Sequence, residues 1–305
     1  MLSYILKRIG IGIVTLFVLV TITFFLTRLM PGNPFETDNL SKTVLDQLMK
    51  EYKLDRPLNE QYMAYLSDVF SGNLGVSFKK AGVSVNDLVM NGAKSTVFLG
   101  SIAFMIALVI GIVLGIWQAT TRSGHVKGIL LALSTLGVSV PNYVFALLLM
   151  MVFSIRLGWF PVLGLASPIH YVLPVTTLAV YPIAIISRLV KNSFGEAMEQ
   201  EYVILARAKG LSTFQIRFTH VLKNAILPVI TTSGPTFAFL ITGSFVVENI
   251  FSIPGIGKEF VNAISNRDYT VIMGLSIFVG AIVILANLLS DIINGIVDPR
   301  IKLNK

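Results

Sequence analysis

Apolar residues along this chain fall into six long runs, separated by polar stretches of unequal length. The first follows Lys7 and Arg8 and extends from Ile9 to Met30. At the helical rise it covers about 33 Å, enough to cross a hydrocarbon core of about 30 Å. Five more runs lie at residues 95–118, 129–155, 169–190, 225–247 and 271–293. The pattern predicts an all-α, polytopic membrane protein with six transmembrane helices. The first run ends in Thr27-Arg28-Leu29-Met30-Pro31-Gly32, which offers no small-residue cleavage site, so it reads as an uncleaved anchor. Pro141 interrupts the third run, and Pro228 and Pro235 the fifth. Proline frees backbone carbonyls and kinks a helix, which suits a pathway-lining or moving span, and equally suits ordinary membrane-helix packing. Gly111 and Gly115, four apart, fit a close helix contact.

Two polar stretches break this pattern. Residues 31–94 carry amphipathic helices: Ser41 caps one with Val44, Leu45, Leu48, Met49 and Tyr52 on a side. Asp55 and Pro57 start another, striped by Leu58, Tyr62, Tyr65, Leu66 and Val69 and ended by Gly72. This is a small helical insertion, too short for a separate substrate-binding domain. The second stretch, Ser193 to Pro228, reads as two capped helices around a glycine. Ser193 with Glu196 and Ser212 with Gln215 are capping boxes. Glu196 and Glu199 are placed at the positive end of the first helix dipole, and Arg207 and Lys209 at its negative end. Met198, Tyr202, Leu205 and Ala208 form its apolar stripe, and Gly210 falls at the left-handed position after it. Phe214, Phe218, Val221 and Leu222 share one face of the second helix. Such a unit can lie on a membrane surface or fit a partner's groove. The chain therefore divides into an anchor helix (1–30), an extracytoplasmic insertion (31–94), a five-helix core (95–293) with a loop at 191–224, and a tail (294–305).

Hydrophobic residues make up 54% and charged residues 13%, which excludes an ordinary soluble domain. The net charge of +8 raises a nucleic-acid reading, and its distribution removes it. With the N-terminus inside, the whole excess falls on cytoplasmic segments, from Lys7 and Arg8 through Arg122, Lys127 and the Arg188–Lys223 region to Arg300, Lys302 and Lys305. That is the positive-inside rule, with both termini in the cytoplasm. The absence of cysteine removes disulfides, thiolate nucleophiles and Fe–S ligation.

Little in the chain carries chemistry. Gly255-Ile256-Gly257-Lys258-Glu259 lacks the spacing and hydroxyl of a phosphate-binding loop, so no nucleotide hydrolysis is expected of this chain. His125, His170 and His220 are scattered and match no metalloprotease pattern. Arg28, Arg156 and Arg188 are placed at span ends, where they can snorkel, and Asp291 near the cytoplasmic end of the last span. No midplane carboxylate marks an ion-coupled carrier. Hydroxyl and amide side chains are the polar content of the spans, and Ser139, Asn142, Thr177, Thr232, Ser233 and Thr236 are the candidate pathway-lining residues. The competing reading is interhelical hydrogen bonding, at about 0.6 kcal/mol each.

A family likeness runs along nearly the whole chain. It is carried by Leu29-Met30-Pro31-Gly32-Asn33-Pro34, Leu54-Asp55-Arg56-Pro57-Leu58, Gln61-Tyr62 and Gly72-Asn73-Leu74-Gly75-Val76-Ser77-Phe78. It continues in Tyr202-Val203, Ala206-Arg207-Ala208-Lys209-Gly210-Leu211, His220-Val221-Leu222-Lys223-Asn224-Ala225, Glu248-Asn249-Ile250-Phe251-Ser252-Ile253-Pro254-Gly255-Ile256-Gly257 and Asp298-Pro299-Arg300. In this order they resemble the B-type permease subunit of the dipeptide/oligopeptide/nickel class of binding-protein-dependent ABC importers. The resemblance implies a coupling loop that docks on an ATP-binding subunit, through Glu201, Ala206, Arg207, Ala208, Gly210, Leu211, Ser212, Phe214 and Arg217. Where that family's motif has an acid six residues before the glycine, this chain has Ile204, and Glu201 lies one turn earlier. The implied partners are a second homologous permease in a heterodimer, two ATPase subunits that bind ATP and Mg, and an extracytoplasmic substrate-binding lipoprotein. This chain itself binds no cofactor and no nucleic acid, and sits in the lipid of a bacterial or archaeal cytoplasmic membrane. The implied cargo is peptide, with nickel chelates, haem or another small solute as the alternative. A self-sufficient carrier or channel, and a membrane scaffold or intramembrane enzyme, are the rival classes.

Overall fold

The computed structural model describes residues 2–30, 34–35 and 41–297. Pro31, Gly32 and Asn33 of the first motif, and Asp298, Pro299, Arg300, Lys302 and Lys305 of the tail, lie outside the described residues. In chain order the helices are α1 (Leu2–Leu29), α2 (Lys42–Glu51), α3 (Leu58–Phe70), α4 (Val85–Thr120), α5 (Gly124–Ser139), α6 (Asn142–Leu149) and α7 (Val172–Met198). They are followed by α8 (Glu201–Ala208), α9 (Thr213–Gln215), α10 (Leu222–Ala225), α11 (Leu227–Ile250), α12 (Ile256–Ser265) and α13 (Tyr269–Val297). Among the described residues no strand forms, only a single bridge between Val76 and Ser84. Among the described residues five helices are long and apolar enough to cross a membrane, or six if the bent pair Gly124–Ser139 and Asn142–Arg156 counts as one span.

The third span is broken rather than kinked. Proline pushes the residue before it out of the helical region. Here Val140 (ψ 123°) and Pro141 (ψ 141°) are both extended, and the two arms meet at 106°. Pro228, in contrast, opens α11 in its first turn, where a missing N–H is harmless, so only Pro235 lies inside that helix. α4 starts ten residues before the hydrophobic run suggests. Its 36 residues reach about 54 Å, more than a hydrocarbon core of about 30 Å needs, and Val85 and Val89 of its first turns pack into the insertion's core.

Small residues set the packing distances. An added Cβ at Gly111 comes within 2.8 Å of Ile186, and at Gly115 within 2.6 Å of Val190, so α4 and α7 meet as the glycine spacing predicts. Gly234 brings α11 equally close to α13, with Ala286 O at 2.6 Å. α1 joins α13 through an Arg8–Asp291 ion pair at 3.2 Å. Arg188, ten residues before the end of α7, donates to Thr135 Oγ1 of α5 at 2.8 Å.

The two ends of the bundle differ. At the end holding the insertion, Ser77, the Phe78 N–H (3.0 Å) and the Thr270 hydroxyl (3.1 Å) all donate to the buried Asp268 carboxylate. Asn86 clasps the turn before them, accepting from Leu74 N at 2.8 Å and donating to Gly72 O at 2.7 Å. Deeper in, Glu248 is fully buried and accepts from Thr96 of α4 (2.7 Å), Ser244 of α11 (2.7 Å) and Gly257 N of α12 (2.8 Å). Thr96 Oγ1 in turn accepts from Ile256 N at 2.9 Å. A methyl at Gly255 would collide with the Glu248 carboxylate and come within 2.6 Å of Thr96 Oγ1. Gly255→Ala is expected to destabilise the protein by about 1–3 kcal/mol, read as a lower unfolding midpoint in detergent. Gly10→Ala, inside α1 at a site with nothing within 4 Å, serves as the control that is not destabilised.

Candidate coupling surface

At the opposite end of the bundle, the chain from Phe194 to Ala225 folds onto the ends of α4 and α7. α7 runs through Ser193 and stops at Met198, so the Ser193–Glu196 capping box does not form, and Glu196 lies in a last turn, not a first. Val190, Phe194 and Ala197 explain the override: they occupy one helical face and all three are buried. Burial of that stripe outweighs a local cap of about 1 kcal/mol. The helix restarts at α8 after an extended Gln200, with Glu201 in its first turn.

Because α8 begins a new axis there, the predicted stripe divides: Met198 and Tyr202 are half-buried against the loop's core, whereas Leu205 and Ala208 are exposed. Val203 and Ala206 are buried instead, while Ile204 and Leu205 are 61% and 57% exposed. α8 ends as the sequence predicts. Gly210 has φ +76°, Gly210 N donates to Arg207 O (2.9 Å) and Leu211 N to Ala206 O (3.3 Å), a Schellman closure. Two residues on, Ser212 and Gln215 form the expected capping box: Gln215 N donates to Ser212 Oγ at 3.3 Å, and Ser212 N to Gln215 Oε1 at 3.1 Å.

The second helix departs from its predicted face for a different reason. Between α9 and α10 the chain takes a π-helical stretch, Ile216–Val221, which shifts the side-chain register. Ile216 and Val221 turn inward and are buried with Phe194, Ala197, Val203 and Ala206, against Ile116 and Ala119 of α4. Phe214 (70% exposed) and Phe218 (46%) turn outward and pack against one another, ring centres 4.5 Å apart and planes tilted by 37°.

The candidate docking residues therefore separate. Glu201, Arg207, Ala208, Gly210, Ser212 and Phe214 are exposed, Leu211 and Arg217 half-buried, and Ala206 is interior. Ala206 supports the surface from below rather than forming it. Ile204, Leu205 and Phe218 are exposed apolar side chains that the resemblance did not single out; the signal lay in their hydrophobicity within a polar loop. Among the candidate pathway residues, Ser139 is exposed beside the span break and Asn142 is half-buried. Thr232, Ser233 and Thr236 are half-buried on α11, and their hydroxyls donate to carbonyls of their own helix. Thr177 is fully buried with its hydroxyl on Leu173 O, so it packs and presents no face to a passage.

Family models match both parts of the chain. Residues 111–303 match the binding-protein-dependent transport system inner membrane component, and residues 1–91 the N-terminal membrane component of such systems. The chain belongs to the binding-protein-dependent transport permease family. A dipeptide transport system permease protein of Bacillus subtilis is 44% identical over 306 residues, covering 100% of this chain and 99% of that protein. An oligopeptide transport system permease protein of Haemophilus influenzae is 40% identical, covering 99% of this chain and 100% of its own. Among solved structures, an inward-facing MetNI methionine ABC transporter aligns with TM-score 0.57 at 20% identity, covering 69% of this permease and 96% of that chain. That likeness is one of fold. The permease is thus a multi-pass membrane subunit of such a transport system. Removing the loop's second cap with Ser212→Ala is expected to weaken it locally by about 1 kcal/mol, read as faster amide exchange across residues 213–225.

Proposed function

We propose that this permease forms half of the pathway of an ATP-driven importer of short peptides, with the α8–α10 loop as its docking surface for an ATPase subunit. The observation that carries this reading is the pair of exposed apolar side chains, Phe214 and Phe218, held out from a packed loop in a relative of dipeptide and oligopeptide permeases. Exposed aromatic pairs on a fixed elbow suit a partner's groove better than solvent. The positive-inside distribution of charge supports a cytoplasmic loop and cytoplasmic termini, with the insertion outside.

The loop's packing supports a mechanical role. Ile216 and Val221 lock the docking helix to α7 and to the end of α4, and Ile226 joins α10 to α11 without a flexible linker. A push on Phe214 is therefore passed to three spans at once. ATP-driven closure of two partner ATPases would move these spans and reorient the passage, provided ATP binds one of the two states more tightly. The second permease, the ATP and Mg, and a substrate-binding lipoprotein come from other chains. Ile204 replaces the family's acid with an exposed apolar residue, so docking here rests on apolar contact, with Glu201 one turn away and in no ion pair among the described residues. The residues proposed for the passage are Ser139 and Asn142 at the span break and Thr232, Ser233 and Thr236 on α11.

Gly210→Val is expected to abolish ATP-dependent peptide uptake while the protein still inserts, because a β-branched residue resists φ +76°. Phe214→Asp is expected to release the ATPase from a mild-detergent pull-down, whereas wild type retains it. Uptake unchanged by Gly210→Val, or ATPase recovery unchanged by Phe214→Asp, would remove the coupling role. A non-peptide ligand on the co-purified lipoprotein would remove the peptide reading and leave the importer intact.

A further inference from the structure

The insertion end holds a cavity that coupling does not use. It encloses about 480 Å³ between α2, α3, the loop at 73–82 and the start of α13. Arg28 of α1, Gln61, Tyr65 and Asp68 of α3, and Glu51 and Lys53 at the end of α2 line it. The volume lies within the range of about 300–1,000 Å³ typical of small-molecule sites.

Its polar groups are of two kinds. Among the lining residues, Arg28 Nε, the Tyr65 hydroxyl and Gln61 Oε1 are buried atoms with no hydrogen-bond partner. Arg28 forms no ion pair among the described residues; its recorded partner is the Phe24 ring, 5.4 Å away. Buried polar groups are normally satisfied, and a guanidinium edge left without an acceptor is costly. Burial pushes the Tyr65 phenol well above its ordinary pKa, against the pull of the Arg28 charge, so its hydroxyl keeps its proton and can donate. Two donors of this kind suit an oxyanion, and arginine favours the planar carboxylate. Glu51, Lys53 and Asp68, in contrast, are exposed. Two acids there suit an ammonium group. With Lys53 beside them these acids still leave the exposed lining net negative, and a cavity that pairs a half-buried Arg28 with exposed carboxylates fits a small zwitterion better than a lipid, whose chains need an apolar groove.

We propose that this cavity binds a short peptide, with the C-terminal carboxylate on Arg28 and Tyr65 and the ammonium toward Asp68 and Glu51. The site lies on the insertion, apart from the span-break and α11 residues of the proposed passage. The proposal rests on the peptide reading above, and the test separates the two.

The intact importer, reconstituted in lipid nanodiscs without its binding protein, is titrated calorimetrically with trialanine, trialanine amide and inorganic phosphate. Trialanine is expected to bind, and its amide about tenfold or more weaker, the loss of a charge-assisted hydrogen bond. Arg28→Gln is expected to show the same loss for trialanine, and Tyr65→Phe, which removes only a hydroxyl, a several-fold loss. Equal binding of the amide, wild-type affinity in the folded Tyr65→Phe variant, or phosphate binding as tightly as trialanine would each overturn the proposal. Trialanine uptake is measured in parallel in cells that carry the complete importer, its substrate-binding lipoprotein included. ATP-driven uptake without this binding overturns the cavity site alone, whereas neither uptake nor binding overturns the peptide reading as well.

Discussion

A carboxylate buried without solvent must find its hydrogen-bond donors inside the protein, and Glu248 does so by drawing three helices to one point. Thr96, Ser244 and the Gly257 amide come from α4, α11 and α12, and the chain between α11 and α12 must pass within touching distance of the charge. Only glycine fits at 255 and 257, since a methyl at either would meet the carboxylate. The Glu248–Gly257 segment is thus one knot. Asp268 makes a second, binding the Ser77–Phe78 turn of the insertion to the start of α13. Together they make the insertion end a continuous, polar-stapled unit, although helix association within a membrane gains little from hydrophobic burial.

The opposite end is built on different principles. Its loop is held by a small apolar core, with Phe194, Val203, Ile216 and Val221 sunk against α4, and by helix-end hydrogen bonds at Gly210 and Ser212. Apolar cores are firm yet can shift as a body, which suits a segment that must carry motion from a partner to several spans. The π-helical stretch is the device that divides its side chains, sending Ile216 and Val221 inward and the two phenylalanines outward. A regular helix would have put Phe214, Phe218 and Val221 on one face.

Local pattern settled much of this protein. Span number, the Gly111–Gly115 contact, the left-handed Gly210, the Ser212 box and the Ser41 cap follow from hydropathy or from interactions within a few residues, so they could be read in the chain. Tertiary packing decided the rest. The Ser193 box lost to burial of Val190, Phe194 and Ala197, and the buried face of α8 followed from a restart that no periodicity announces. Two extended residues at Val140 and Pro141 turned an expected kink into a break of 106°. The Glu248 knot, the Asp268 staple and the Arg28 cavity join residues far apart in the chain. Their partners are chosen by the fold, because the donors that satisfy a buried charge are defined only once the helices have met.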